Sequence, residues 1–414
     1  MSERFQPPRG TRDWSGDDAA VRRRAIDLAR SVFEPAGYGE VVTPGFEDTA
    51  LFARSSGETS DVVSKEMYTF EDRSGRSLTL RPESTAAVMR AYLNSMTRRP
   101  QPVKLWYCQN HFRYNAVQRG RAREHYQFGV EAIGAEDAAV DAEVIALQHR
   151  WYELCGVPAL RLELNSIGDA ACRPAYVQML VEFIDNHAAE LCDECLERRH
   201  TNPLRVLDCK NRACQAVLAN APRITDHLCE PCREHFAEVR RHLDAREVEY
   251  ELVPALVRGL DYYTRTTWEW MGGDLASSIS GGGRYDGLSE QIGGGPAPGV
   301  GFGAGLERLL EVTRPEPDAS GGMVLFAVIA EQARPRLFAL MDEARAAGVA
   351  ADAAYGSRRL KRMLELAGRR GAQRVVIVGD DEWEREHATL RDMTSGEQRT
   401  VALDALVREL TGEL

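Results

Sequence analysis

Val103-Lys104-Leu105-Trp106-Tyr107-Cys108-Gln109-Asn110-His111-Phe112-Arg113 and Glu124-His125-Tyr126-Gln127-Phe128-Gly129-Val130-Glu131-Ala132-Ile133 are the stretches on which the fold turns. They read as the two arms of a long hairpin, joined by an arginine-rich connection from Tyr114 to Arg123. A shorter hairpin precedes them, with Met67 to Phe70 and Ser77 to Leu80 flanking Asp72-Arg73-Ser74-Gly75. Helices alternate with these strands. Ser15 or Asp17 can cap one that runs to about Phe33, where Pro35 and Gly37 stop it. Others run from Thr85 to about Leu93 and from Asp141 to Cys155, and Glu40 to Pro44 makes a short strand closed by proline. Successive antiparallel strands joined by hairpins predict an antiparallel sheet with helices packed on one side.

The totals limit what such a chain can do. Its 414 residues suit about two to three domains. Apolar residues at 43% and charged residues at 28% are the balance of a soluble globular protein. A net charge of −11 excludes a generic polyanion binder, so any nucleic-acid surface is a local basic patch on an acidic body. The opening residues show no secretory signal, and no apolar run reaches the ~18 residues of a membrane span. These features predict a cytoplasmic protein without a membrane partner. Nine cysteines in that setting point to thiols or metal rather than disulfides.

Two further stretches carry chemistry. Leu256-Val257-Arg258-Gly259-Leu260-Asp261-Tyr262-Tyr263-Thr264-Arg265-Thr266 sets a cation, an acid and two tyrosines ahead of a strand, and Gly281-Gly282-Gly283-Arg284-Tyr285-Asp286-Gly287 follows. In an extended chain Tyr262 and Tyr263 face opposite ways, so one phenol lies outside the core. Three successive glycines let backbone approach a ligand closely. A tyrosine-rich core strand followed by a flexible loop fits these residues equally well. In the long hairpin Arg113 faces Arg119, Arg121 and Arg123, side chains suited to phosphate. Gln127 and Glu131 lie four apart on one strand and share a face; with Glu83 they suit a cationic, hydrogen-bonding ligand such as an amino acid. A solvated charged hairpin is the plainer account of the same residues. Gly301-x-Gly303-x-Gly305-Leu306-Glu307-Arg308 lacks the spacing of a dinucleotide fingerprint, but a helix entry with an arginine one turn inside suits a polyphosphate.

Taken together, Gly37 to about Phe52 with Pro44, Phe112-Arg113 with the strand returning to Glu131, and Gly301 to Arg308 resemble the three signature motifs of class II aminoacyl-tRNA synthetases. Leu256 to Thr266 and Gly282 to Asp286 resemble the segments that mark the histidyl-tRNA synthetase family within that class. Pro8-Arg9-Gly10-Thr11-Arg12-Asp13, Thr79-Leu80-Arg81-Pro82-Glu83 and Gln127-Phe128-Gly129-Val130-Glu131 fit the family as well. The likeness spans nearly the whole chain. It implies ATP-dependent activation of L-histidine to histidyl-adenylate and transfer to the 3′ end of tRNA(His), by a homodimer that uses Mg²⁺ with ATP and has no DNA partner. It implies that Glu83, Thr85 and Gln127 hold the α-amino group and that Glu131, Tyr263 and Tyr285 read the imidazole, with Ser84 and Tyr262 beside them. Arg113 and Arg308 are implied to clamp the ATP phosphates, and Arg258 to meet the α-phosphate. Gln118, Arg119, Arg121 and Arg123 are implied to meet the acceptor end of tRNA. The sequence departs from the family where Asn115-Ala116-Val117 replaces the usual Glu-Arg-Pro, and Ser84 stands where glycine is common. A histidine-binding regulatory paralogue without catalysis and a specialised duplicate synthetase are the competing readings.

The resulting fold class is a multidomain α+β and α/β chain. Residues 1–169 form the first part of a class II antiparallel catalytic sheet with flanking helices, 170–249 a helical insertion, 250–318 the second part of the core, and 322–414 a C-terminal α/β domain of the anticodon-binding type. In that last domain Arg358, Arg359, Lys361 and Arg362 are candidates for phosphate contact. The insertion holds Cys192-x-x-Cys195, Cys209, Cys214 and Cys229-x-x-Cys232. The two Cys-x-x-Cys pairs have a zinc spacing, with Cys209 and Cys214 as substitutes or bystanders. Free thiols are the alternative, and no metal ligand is assigned. Cys108, Cys155 and Cys172 read as core packing.

Overall fold

The computed structural model describes residues 4–57, 62–275, 277–316, 322–356 and 359–412. The chain forms two compact units that part between residues 317 and 318.

The first unit is built on an eight-stranded sheet. Its strands are β1 (Gly39–Glu40), β5 (Val103–Phe112), β6 (Glu124–Ile133), β7 (Arg161–Ser166), β8 (Glu251–Leu252), β9 (Thr264–Met271), β10 (Ser280–Arg284) and β11 (Gly299–Gly305), in the order β1-β5-β6-β11-β10-β9-β7-β8. The six central strands pair antiparallel, and only the short edge strands β1 and β8 run parallel to their neighbours. A small antiparallel sheet of β2 (Phe46–Asp48), β4 (Ser77–Leu80) and β3 (Tyr68–Glu71) stands beside it. Its turn forms where the sequence placed it, with the Asp72 carboxylate accepting from the Ser74 and Arg76 N–H groups.

Helices cover both faces of the main sheet, not one. Trp106, Phe128, Val130 and Phe302 point to one face, where the helices Gly16–Phe33, Ala138–Leu154 and Leu306–Val312 bury Phe33, Trp151 and Leu309 against them. The neighbouring residues Leu105, Tyr107 and Ile133 point to the other face, as the two-residue period requires. There the helix Thr85–Ser95 packs Val88, Met89 and Tyr92 over one end and leaves the rest open. Tyr262 and Tyr263 both belong to this second core, against the expectation that one would look elsewhere. They precede β9 in a turn rather than a strand, so the alternation does not apply, and their rings lie 4.7 Å apart.

The glycine run from 281 to 283 is no flexible loop but the buried centre of β10. Register sets Tyr107, Gly129, Gly303, Gly281 and Glu269 in one row across five strands. The next row contains Glu131, Gly301 and Gly283. Five positions on this face thus present bare backbone to the open side.

The helical insertion leaves after β7 and returns at β8, the two strands pairing at the same edge. Its core of Tyr176, Leu180, Ile184, Val206 and Leu218 is small and rich in cysteine. Its last helix, Glu230–Asp244, turns Phe236, Val239 and Leu243 into the main core.

The second unit is a five-stranded sheet of β13 (Ala351–Ala353), β12 (Val324–Val328), β14 (Arg374–Val378), β15 (His387–Asp392) and β16 (Gln398–Ala402), in that order. The first three run parallel, as alternating strands and helices predict, and the last two add an antiparallel hairpin. Helices Arg334–Ala346 and Leu406–Thr411 cover one face, and Leu360–Arg369 covers the other. Of the four phosphate-contact candidates, Arg358 lies outside the described residues, while Arg359, Lys361 and Arg362 lie at the start of Leu360–Arg369.

Candidate active site

The open side of the main sheet holds a cleft of about 370 Å³. Its floor is the glycine face. A Cβ at Gly303 would collide with the Gln127 amide, at Gly281 with the Arg258 guanidinium, at Gly129 with the Tyr107 ring, and at Gly301 with the Glu131 carboxylate. A Cβ at Gly283 would stand 2.6 Å from the Tyr263 ring. Each glycine is therefore the space in which a functional side chain lies.

At one end the side chains are hydroxyls and carboxyls. Glu131 is buried beneath Thr85 and accepts hydrogen bonds from Thr85 Oγ1 at 2.8 Å and Tyr107 OH at 3.3 Å, and from the Tyr285 hydroxyl. Burial pushes its carboxyl up to about 8, partly offset by these donors. Glu83 is buried at the start of Thr85–Ser95 and accepts the Thr85 and Ala86 N–H groups at 2.6 and 3.0 Å, so it caps the helix while its side chain lines the cleft. Burial raises its pKa against the pull of those donors. Gln127, Tyr262 and Tyr263 complete this end.

At the other end the groups are cationic. Arg113, Arg121, Arg205, Arg258 and Arg308 all line the cleft. Arg113 is held by the Pro82 carbonyl at 2.7 Å, and Arg308 by the carbonyls of Ser278 at 2.8 Å and Gly120 at 3.2 Å. Burial, then the charges of Arg121 and Arg113, depress Arg308 to about 10. His125 also lines the cleft, and burial with the charges of Arg113 and Arg308 lowers it to about 3, so its imidazole is neutral. Arg258 is paired with Glu269. Burial opposes its charge, but Glu269 reverses that effect and its pKa lies above the usual arginine value. Positive charge crowded among hydrogen-bonding side chains is a receptor for a polyanion.

The expected residues do not all reach the cleft. Glu83, Thr85, Arg113, Arg121, Gln127, Arg258, Tyr262, Tyr263 and Arg308 line it. Glu131 and Tyr285 sit one layer below, joined to it through Thr85 and Tyr107. Ser84 turns away: its hydroxyl meets His111 Nε2 at 2.7 Å and Gln109 Nε2 at 3.2 Å. Among the arginine-loop residues, Gln118 bridges to Arg121 through backbone, Arg119 pairs with Glu311 and Asp274, and Arg123 lies over the Tyr114 ring. Asn115 lines the cleft with its side-chain amide against the Glu66 carboxylate, an arrangement satisfied when the amide nitrogen faces Glu66. Asp261 reads in the sequence as a group to orient Arg258 or a neighbouring backbone group; its carboxylate accepts from Asn202 of the insertion at 2.7 Å, and Glu269 pairs with Arg258.

Arg284, which follows the three glycines, is fully buried and serves the frame. It pairs with Asp141 and Asp286 and donates to the carbonyls of Ala135 and Asp137, while His235 of the insertion holds the other Asp141 oxygen at 2.8 Å. Tyr107, His125, Arg205 and Glu269 are site residues that the sequence reading missed. Tyr107 and Glu269 had a signal in principle, since both fall in the glycine row once strand register is known.

The cysteines group differently from their spacing. Cys192 and Cys195 lie with Cys209 and Cys214, whereas Cys229 and Cys232 lie with Asp169 and Cys172. The two Cys-x-x-Cys pairs therefore do not share a centre, and Cys172, buried in the insertion's core as expected, also lies within a cluster. The path of the insertion separates the pairs, and sequence spacing does not record that path.

Comparison with known proteins agrees with this geometry. Residues 10–309 match the model of the histidyl-tRNA synthetase family, and residues 323–413 match that of the anticodon binding domain. The chain is 46% identical over 407 residues to a histidine–tRNA ligase of Desulforamulus reducens, covering 97% of both chains. The solved apo histidyl-tRNA synthetase of S. aureus superposes with a TM-score of 0.82 at 37% identity, over 99% of this chain and 100% of that one. A protein of Bacillus halodurans described as an ATP phosphoribosyltransferase regulatory subunit/histidyl-tRNA synthetase shares the fold, with a TM-score of 0.65 at 22% identity over 88% of this chain and 97% of that one. On family model, full-length identity and fold alike, the chain belongs to the histidyl-tRNA synthetases.

Proposed function

We propose that the cleft activates L-histidine with ATP and passes it to tRNA(His), and that its two ends divide the work. Five arginines beside a buried, hydroxyl-ringed carboxyl is the observation that carries this reading. Glu131, Tyr285 and Tyr263 read the imidazole, because a wrong side chain leaves buried polar groups unpaired. Glu83, Thr85 and Gln127 receive the α-amino group. Arg258, Arg113 and Arg308 take the phosphates. The histidine carboxylate attacks the α-phosphorus in line and pyrophosphate leaves, with charge on the phosphoryl oxygens met by guanidinium groups fixed in advance. Arg121, with Gln118, Arg119 and Arg123, faces the acceptor end, and the second unit receives the anticodon region. ATP enters with Mg²⁺ on its outer phosphates. Two of the cleft carboxylates suit this division: Glu83 is engaged by a helix start and Glu307 by the Tyr126 N–H, so arginines are the groups that meet the nucleotide. A homodimer is supported by Val42, Phe46 and Phe70, large apolar side chains exposed on and beside the small sheet. The arginine set and the second unit favour catalysis over a purely regulatory paralogue. Histidine-dependent exchange of pyrophosphate into ATP, followed by charging of purified tRNA(His), tests the reading. Absence of exchange overturns it.

A further inference from the structure

Cys192, Cys195, Cys209 and Cys214 arrive from three places in the insertion. Cys192 precedes the helix Asp193–Thr201 and Cys195 lies in its first turn; Cys209 follows the 3-10 turn Pro203–Asp208, and Cys214 lies in the helix Arg212–Leu218. Their four Sγ atoms all lie within 4.8 Å of one another. Cys192 Sγ stands 3.6 Å from Cys195 Sγ and 3.9 Å from Cys209 Sγ. A disulfide needs about 2.05 Å. Four sulfurs at ~2.3 Å from a tetrahedral zinc stand ~3.8 Å apart, between the two separations seen. The Cys192 N–H donates to Cys214 Sγ at 3.2 Å, a bond that stabilises thiolate charge.

We propose that these four residues bind one zinc ion as a closed tetrathiolate site. Each thiol releases its proton on binding, so Zn²⁺ and four S–H groups give a centre of net charge −2 and four protons. Soft ligands in a tetrahedral arrangement select zinc over magnesium or calcium. No fifth position is left for substrate, so the site is structural. The segment it closes carries Asn202, which donates to Asp261 at 2.7 Å, and Arg205, which lines the cleft. The ion thereby fixes one wall of the cleft from outside it. The metal assignment stands apart from the proposed catalysis; only the activity arm of its test rests on that reading.

Elemental analysis of the full-length protein, purified reduced, is expected to find zinc, with one equivalent per chain fewer in Cys192→Ser/Cys209→Ser. The difference between the two proteins is the readout, so metal at the Asp169, Cys172, Cys229 and Cys232 cluster does not affect it. Should that variant fail to fold, cobalt exchanged into the intact protein decides, and the intense visible bands of tetrahedral cobalt thiolate, displaced by zinc, are expected. Equal zinc in both proteins, or intact protein that takes up neither ion, overturns the proposal. Chelation is expected to lower pyrophosphate exchange several-fold, and stoichiometric zinc to restore it while magnesium does not. Full exchange by the zinc-free protein overturns the wall-fixing role and leaves the catalytic reading standing.

Discussion

Arg258 and Glu131 are both ionisable groups withdrawn from solvent, and their surroundings set them opposite charge states. Arg258 stays charged because Glu269 lies against it. Arg258→Ala is expected to lower pyrophosphate exchange by roughly 10²–10³ while calorimetry finds histidine binding little changed. It should also destabilise the fold by about 3 kcal/mol, because Glu269 is left without its partner. Adding Glu269→Gln should restore stability without restoring exchange; recovery of exchange would remove Arg258 from the reaction. Glu131 behaves in the reverse way. Its folded pKa of about 8 lies above the unfolded value of roughly 4.3. Between these values the folded chain keeps a proton that the unfolded chain has released, so this group makes stability fall as pH rises through the window. Glu131→Gln, isosteric with the neutral acid, should match the parent in Tm below about pH 4, gain on it through the window and exceed it most above pH 8. Its histidine KM should rise about tenfold to a hundredfold, the cost of one mispaired buried group. A Tm difference that stays constant with pH would show that Glu131 is ionised throughout.

Among the elements, β10 and β11 decide the site by what they lack. Gly303→Ala keeps a strand-compatible residue but puts a methyl where the Gln127 amide lies. Overpacking of this kind costs about 1–3 kcal/mol. The expected outcome is a histidine KM raised roughly tenfold or more with an unchanged far-UV circular dichroism spectrum; an unchanged KM would separate Gln127 from histidine recognition. Much of this was legible in the chain. The long hairpin, the first helix and the parallel half of the second unit follow from periodicity and breakers, and Arg113, Gln127 and Arg258 stand in motifs whose chemistry is specific. Tyr107, Glu269 and Arg205 become legible only through strand register and the path of the insertion, which set Tyr107 and Arg205 in the cleft and Glu269 against Arg258. The hairpin His387–Asp392 and Gln398–Ala402 did carry a signal, with polar and apolar residues alternating along its first strand up to an Asp-Met-Thr-Ser-Gly turn.

At the scale of the molecule, Phe46 and Phe70 face each other across the small sheet, ring centroids 6.2 Å apart, and both remain exposed in a single chain. Phe46→Asp is expected to shift the protein from dimer to monomer in sedimentation velocity, with exchange falling alongside. A dimer of undiminished stability would place the interface elsewhere. The bare face of the main sheet has a consequence for inheritance. Every single-base missense change in a glycine codon adds a Cβ, so Gly129, Gly281, Gly283, Gly301 and Gly303 have no mild neighbour in mutational space. A catalogue of inactivating mutations in this chain should therefore crowd onto residues that contribute no side chain to the reaction.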